Sequence, residues 1–410
     1  MVLFRAGALA TLLSACASES AKPATDGTGP ADTSGATSDD TDTDTDTDTT
    51  GATDTDTTDT TDTTSTLPVD PCGDPGVIPG FVAPLSPTLE PVPTDADHGS
   101  DNIYAPDVVR VSDTLCLMYY GGQGADGHDQ IFLATSTDCT HWVHWPDRHN
   151  PEPVVSHGDA NHVNDPSVVA WNDTWLMYYT VAQTGEDDRI HLATSPDGWS
   201  WTPQGRVLDV GADWDSWKVG RPSAIVADGE LRLYYDGNDG AARHTGLATS
   251  TDGRAFVRHP DNPLVLGAGA VDVERVADTW VLLHEGQTGT SALTSADGVG
   301  WCDQGQVFGL TGQSWDAYGQ VTPALYTRDG SGFDALFFGG ASDVCWCHNR
   351  VGLALPEGVE PTPDPDAGCE ACVAESDCTQ ACRDGGYGVD GYCAAPGSTD
   401  PNACCACVAG

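Results

Sequence analysis

The sequence predicts an all-β chain: a five-bladed β-propeller, with a disordered N-terminal tether and a small disulfide-rich C-terminal module. A strand–turn–aromatic motif recurs at intervals of about 45 to 60 residues, which is the size of a propeller blade. A second element, an inner strand followed by an apolar strand ending in aromatics, precedes each copy. No long amphipathic helical pattern interrupts the body.

Residues 1–15 read as a signal peptide, with Arg5 ahead of a short apolar run that is too short to span a bilayer as a mature helix. Leu13-Ser14-Ala15-Cys16 resembles the lipobox of bacterial lipoproteins, which implies cleavage before Cys16 and lipidation of its sulfur. Ala17 is not the Asp that marks inner-membrane retention in some bacteria. The expected location is therefore the cell envelope, lipid-anchored, with the outer membrane or cell surface favoured.

Residues 16–70 form the tether. Between Ala17 and Thr66 there are 13 acidic residues against Lys22 alone, in a Ser, Thr, Asp, Gly and Ala background with almost nothing to bury. Such a segment stays extended and self-repelling. The whole chain carries a formal charge of −46, with 16 Lys and Arg among 410 residues. Nucleic acid and anionic headgroups are repelled by such a field, so membrane contact is expected through the lipid anchor only. Neutral sugars, cations and basic partners remain compatible.

The propeller is assigned to residues 71–358. Four outer turns share one pattern: Ser136-Thr137-Asp138-Cys139, Ser195-Pro196-Asp197-Gly198, Ser250-Thr251-Asp252-Gly253 and Ser295-Ala296-Asp297-Gly298. An aromatic begins the next strand at Trp142, Trp201, Phe256 and Trp301, and a degraded fifth copy runs to Gly358. The Asp can bond the turn backbone and the Gly can take positive φ, so these Asp residues read as structural. The inner strands carry Ala105-Pro106-Asp107, Asp165-Pro166-Ser167, Arg221-Pro222-Ser223, Asp272-Val273-Glu274 and Thr322-Pro323-Ala324.

Of 15 cysteines, Cys16 is reserved for lipid and 14 remain, read as disulfides in an exported chain. Cys72, Cys116, Cys139, Cys302, Cys345 and Cys347 lie in the body, where a bridge from the lead-in to the last blade would help to close the ring. Residues 359–368 form a Pro-rich linker. Residues 369–410 hold eight cysteines on a segment too small to fold on its own core. Cys369 and Cys372 lack the paired spacing of a zinc site and the βαβ context of a redox motif.

The recurring blade motif over about Asp97 to Pro356, with Asp-Pro at an inner strand, resembles the five-bladed propeller glycosidases. That superfamily includes arabinanases, β-xylosidases, invertases and levansucrases of glycoside hydrolase families 43, 32 and 68. The resemblance implies carboxylates meeting at one mouth of the channel, one to protonate the leaving oxygen and one to act as nucleophile or base. On this sequence it implies Asp107, Asp165 and Glu274 as catalytic acids, with Asp101 as an alternative to Asp107 and Asp272 beside Glu274. The third blade departs from the pattern, having Gly220-Arg221-Pro222 where Asp-Pro is expected. Either Asp165 has moved around the ring, or the propeller binds without cutting.

Tyr104, His162, Trp217, Arg221 and Asp272 are the expected substrate-binding residues, with Trp214, His98 and His284 as further candidates at the same mouth. The aromatics suit the apolar faces of sugars or hydrophobic closure between blades. Arg221 suits an acidic ligand group or an internal ion pair. No metal ligand is assigned and no cofactor is expected, although the resemblance leaves room for a central calcium ion. The expected partner is carbohydrate, bound by a monomer.

Overall fold

The computed structural model describes residues 72, 78–84, 86–92 and 102–361, apart from 125, 126, 147–149, 184, 287, 345 and 347, together with the paired strands Gly391–Cys393 and Cys405–Cys407. The signal peptide, Cys16, the tether, His98, Asp101, Cys345, Cys347 and most of the Cys-rich module lie outside the described residues. The propeller falls in the unit Asp70–Gly410.

Five antiparallel sheets follow one another as expected. The first runs Ile103–Ser112, Leu115–Gln123, Asp129–Ser136 and Val143–Trp145 from inner to outer strand. The second runs His162–Trp171, Thr174–Gln183, Glu186–Ser195 and Thr202–Leu208. The third runs Lys218–Ala227, Glu230–Asn238 and Arg243–Ser250, with a split outer edge of Val257–Arg258 and Val265–Leu266. The fourth runs Val271–Val276, Thr279–His284, Gly289–Ser295 and Cys302–Gly309. Each inner strand touches the next, and the fifth returns to the first, so the five enclose a channel.

The fifth blade is Gly319–Tyr326, Ala335–Ala341 and Arg350–Pro356, completed by Phe81–Val82 from the lead-in. Phe81 pairs with Pro356 and Val82 with Leu355, so residues from both ends of the propeller share a sheet and the ring has no open seam. The lead-in is also tied down by Cys72–Cys302. That bridge reaches the outer strand of the fourth blade, where the sequence pointed to the last. Cys116–Cys139 closes a loop within the first blade.

The outer turns explain why the repeat survives. Ser195 Oγ accepts from the N–H of Gly198 at 2.9 Å, and Asp197 Oδ1 accepts from Trp199 and Ser200, each at 2.9 Å. Asp138, Asp252 and Asp297 do the same in their own turns, as their structural reading required. Gly198, Gly253 and Gly298 take φ of 81°, 72° and 76°, and Cys139 takes their place at 64° in the first blade. The turns also fasten neighbours together: the Tyr119, Tyr178 and Tyr234 hydroxyls each donate to the turn Gly carbonyl of the following blade, at 2.6, 2.7 and 2.8 Å.

A methyl group on Gly298 would stand 2.5 Å from the buried Tyr234 hydroxyl and would meet positive φ as well. Gly298→Ala is therefore expected to cost about 2 kcal/mol or more in chemical unfolding. A loss within experimental error would contradict this account of the turn.

Candidate binding site at the channel mouth

Each blade has one left-handed residue in its inner strand or, for Ala270, immediately before it: Ala105, Asp165, Arg221, Ala270 and Thr322, with φ of 51°, 50°, 44°, 47° and 46°. Pairing with the second strand breaks at this point in the first, second, third and fifth blades. Such a conformation costs of order 1–3 kcal/mol at a non-Gly residue, so five in one ring are held by the fold. The bulges turn the chain so that Asp107, Asp165, Arg221, Asp272 and Thr322 line one central pocket.

The ring also shows which positions correspond. Asp165 and Arg221 occupy the same place in adjacent blades, where the first blade has Ala105. Asp107 stands two residues further on, level with Ser167, Ser223, Asp272 and Ala324.

At that second level the side chains link blades. Asp107 Oδ2 accepts from the Val168 N–H at 3.0 Å, and Asp272 Oδ2 accepts from the Leu325 N–H at 2.6 Å. Ser167 Oγ accepts from Ala224 and Ser223 Oγ from Val273, both at 2.9 Å. Two aspartates and two serines thus make one repeated bond between consecutive inner strands. Ser223 also donates to Asp272 Oδ1 at 3.1 Å.

Two groups of charge result. Asp107, Asp272 and Glu274 form an acidic set. Burial raises the Asp107 carboxyl well above its usual range, with Asp272 adding to the effect. Burial pushes Asp272 up to about 6. Burial, then Asp272 and Asp107, raise Glu274, which lies two residues deeper than Asp272, level with Val109, Val169 and Ile225.

The second group surrounds Arg221. Its guanidinium lies 3.3 Å from Asp236, Arg243 lies 3.6 Å from the same carboxylate, and Arg243 also pairs with Glu285. Burial pushes Asp165 and Asp236 each up to about 6, against the pull of Arg221 on Asp165 and of Arg243 and Arg221 on Asp236. Burial opposes the Arg221 charge, but Asp165, Asp236, Glu285 and Asp188 outweigh it. Arg221 is therefore held in an internal ion-pair network and remains about a quarter exposed.

Asp236, Arg243 and Glu285 were not among the residues singled out from sequence. A signal was present for Asp236, which follows Tyr234-Tyr235 as Thr180 follows Tyr178-Tyr179; both accept from a backbone N–H of the next blade's left-handed residue.

The remaining candidates fall at several places on the rim. His162 Nδ1 lies 3.1 Å from Asp129, and the Tyr104 hydroxyl accepts from Asn164 Nδ2 at 2.9 Å, so both line the seam between the first two blades. Trp217 is exposed at the next seam. Trp214 instead lies over Gly237 and Gly246 against Tyr235, closing the third blade. His284 is half-buried and its Nδ1 lies 3.2 Å from the Glu285 carbonyl oxygen.

The central pocket is narrow, with about 30 Å³ of free volume, room for no more than a few water molecules. Among the described residues no group of three or more His, Cys, Asp or Glu side chains is arranged to hold a metal ion. Asp107 and Asp272 each spend one carboxylate oxygen on a backbone N–H, and Asp165 lies in the field of Arg221.

Residues 87–217, the lead-in and first two blades, match the model of the glycosyl hydrolases family 32 N-terminal domain. A probable sucrose-6-phosphate hydrolase of Psychromonas ingrahamii is 32% identical over 173 residues, 38% of this chain and 31% of that protein. A probable arabinan endo-1,5-α-L-arabinosidase B of Aspergillus fumigatus is 28% identical over 160 residues, 37% of this chain and 41% of that protein. The chain thus spans less than half the length of either relative. A family 117 glycoside hydrolase of the marine bacterium Zobellia galactanivorans superposes with a TM-score of 0.53 at 19% identity, over 69% of this chain and 93% of that one. The chain thus resembles glycoside hydrolases in sequence over its first two blades and shares the propeller fold across the body.

Proposed function

We propose that the protein is a carbohydrate-binding propeller that holds a glycan at the mouth carrying Tyr104, His162 and Arg221 without hydrolysing it. The observation that carries this reading is the use of the inner acids: Asp107 and Asp272 make the inter-blade bond that Ser167 and Ser223 make elsewhere. Glycosidic cleavage needs two carboxyl groups facing the scissile bond, one protonated and one charged. The likeness to a probable sucrose-6-phosphate hydrolase and a probable arabinan endo-1,5-α-L-arabinosidase supports carbohydrate as the ligand class. The Leu13–Cys16 motif supports display from a lipid anchor on the cell envelope.

Hydrolysis through Asp107, Asp165 and Glu274 is the second reading. It is favoured by the Asp165 carboxyl, which burial pushes up to about 6, close to the range of a general acid at neutrality. Affinity electrophoresis in arabinan, xylan and levan gels, run beside a reducing-sugar assay on the same polymers, separates the two. Retardation without product is the expected result. Steady product release, abolished by Asp165→Asn, would establish the hydrolase.

A further inference from the structure

We propose that Trp217 is a separate sugar-stacking platform at the rim, so that the ligand is an extended neutral oligosaccharide or polysaccharide and not a single sugar. This rests on the carbohydrate-binding reading and specifies its ligand. Seven large apolar side chains among the described residues are exposed, and Trp217, at 38%, is the aromatic one. Leaving such a ring in water forgoes roughly 1.5–3 kcal/mol of burial.

The ring is also held in place. Its Nε1 donates to Asp187 Oδ2 at 2.5 Å, its backbone N–H donates to the Asn238 carbonyl at 2.9 Å, and its own carbonyl accepts from Arg189 at 3.2 Å. Lys218 Nζ sits 4.4 Å from the ring centroid and 3.5 Å from Asp187 Oδ1. Gly240, in a left-handed conformation, leaves its Cβ position 3.8 Å from the ring. Trp214 and Trp315 have no such exposure, since each is laid over glycines of its own blade.

A fixed, exposed aromatic is preorganised for the C–H face of a sugar and loses little entropy when one docks. Asp187 and Lys218 neutralise each other at its edge, which suits an uncharged sugar. Trp217 stands four residues before Arg221 on a strand beginning at Lys218. At about 3.3 Å per residue that is roughly 13 Å or less given the bulge, a span covered by a chain of sugars.

The test is calorimetric titration of the full-length protein with neutral arabino-, xylo- and fructo-oligosaccharides from monosaccharide to hexasaccharide, using wild type, Trp217→Ala and Trp217→Phe. Affinity is expected to rise with length in the wild type. Trp217→Ala should lose about three- to tenfold on the longest chain and nothing on the monosaccharide, while Trp217→Phe keeps most of the gain. Equal affinity of Trp217→Ala and wild type for the hexasaccharide, or no dependence on length, would overturn the platform. Absence of binding by the wild type at every length would instead overturn the carbohydrate reading beneath it.

Discussion

Asp107→Ser is expected to leave the propeller as stable as wild type or more so at pH 8, whereas Asp107→Ala loses about 1–3 kcal/mol. The contrast follows from the repeat. A serine already accepts the same backbone N–H at the second and third inner strands, so the hydroxyl is long enough for the task. Alanine leaves the Val168 N–H without its acceptor between two inner strands. Serine also removes a carboxyl group that burial and Asp272 disfavour in its charged form. Asp272 should follow the same order at the seam between the fourth and fifth blades, where Leu325 is the donor. Urea unfolding of the four single variants measures this. Equal losses for Ser and Ala at either position would remove the basis for calling these acids structural.

Stability is expected to fall as pH rises from about 4 to 7. Asp165, Asp236 and Asp272 titrate near 6 in the folded protein because burial disfavours their charge, with Asp107 and Glu274 raised as well. A carboxyl whose folded value lies above its unfolded value of about 4 binds its proton more tightly in the native state, so its contribution is present below that unfolded value and lost as pH rises through the folded one. The best-buried pair, Asp165 and Asp236, contribute about 1–3 kcal/mol each by this route. The turn carboxylates Asp197, Asp252 and Asp297 act oppositely, because backbone N–H groups hold them below their usual range and their contribution is lost in acid. A maximum near pH 4 to 5 results. Thermal unfolding from pH 3 to 9 should show it, and Glu274→Gln should flatten the alkaline side. A melting temperature that climbs steadily to pH 8 would contradict the buried-acid account.

The blades were legible because their turns obey local chemistry: each Ser-x-Asp-Gly segment satisfies its own backbone wherever it occurs. The Phe81–Val82 strand was not legible, since two apolar residues carry no signal until a sheet edge receives them. Cys139 in a glycine's place looked like a mere cysteine, because its left-handed backbone is imposed by the turn and its Cys116 bridge by the blade.

The mouth was legible as composition, while its register was not. Ala-Pro-Asp in the first blade and Asp-Pro-Ser in the second share letters, but their acids stand two residues apart on the ring. Only the left-handed residue that each blade carries there reveals that offset. The Arg221 network was half legible: the cation was visible, while Asp236, Arg243 and Glu285 come from other strands and depend on cross-strand register.

The most direct test of the central claim is product release from whichever polysaccharide the wild type retains, measured for wild type and for the Asp107→Ser, Asp272→Ser double variant. The account predicts equal retention by both proteins and no reducing ends from either. Reducing ends released by the wild type and lost in the double variant would show these acids to be catalytic and would contradict it.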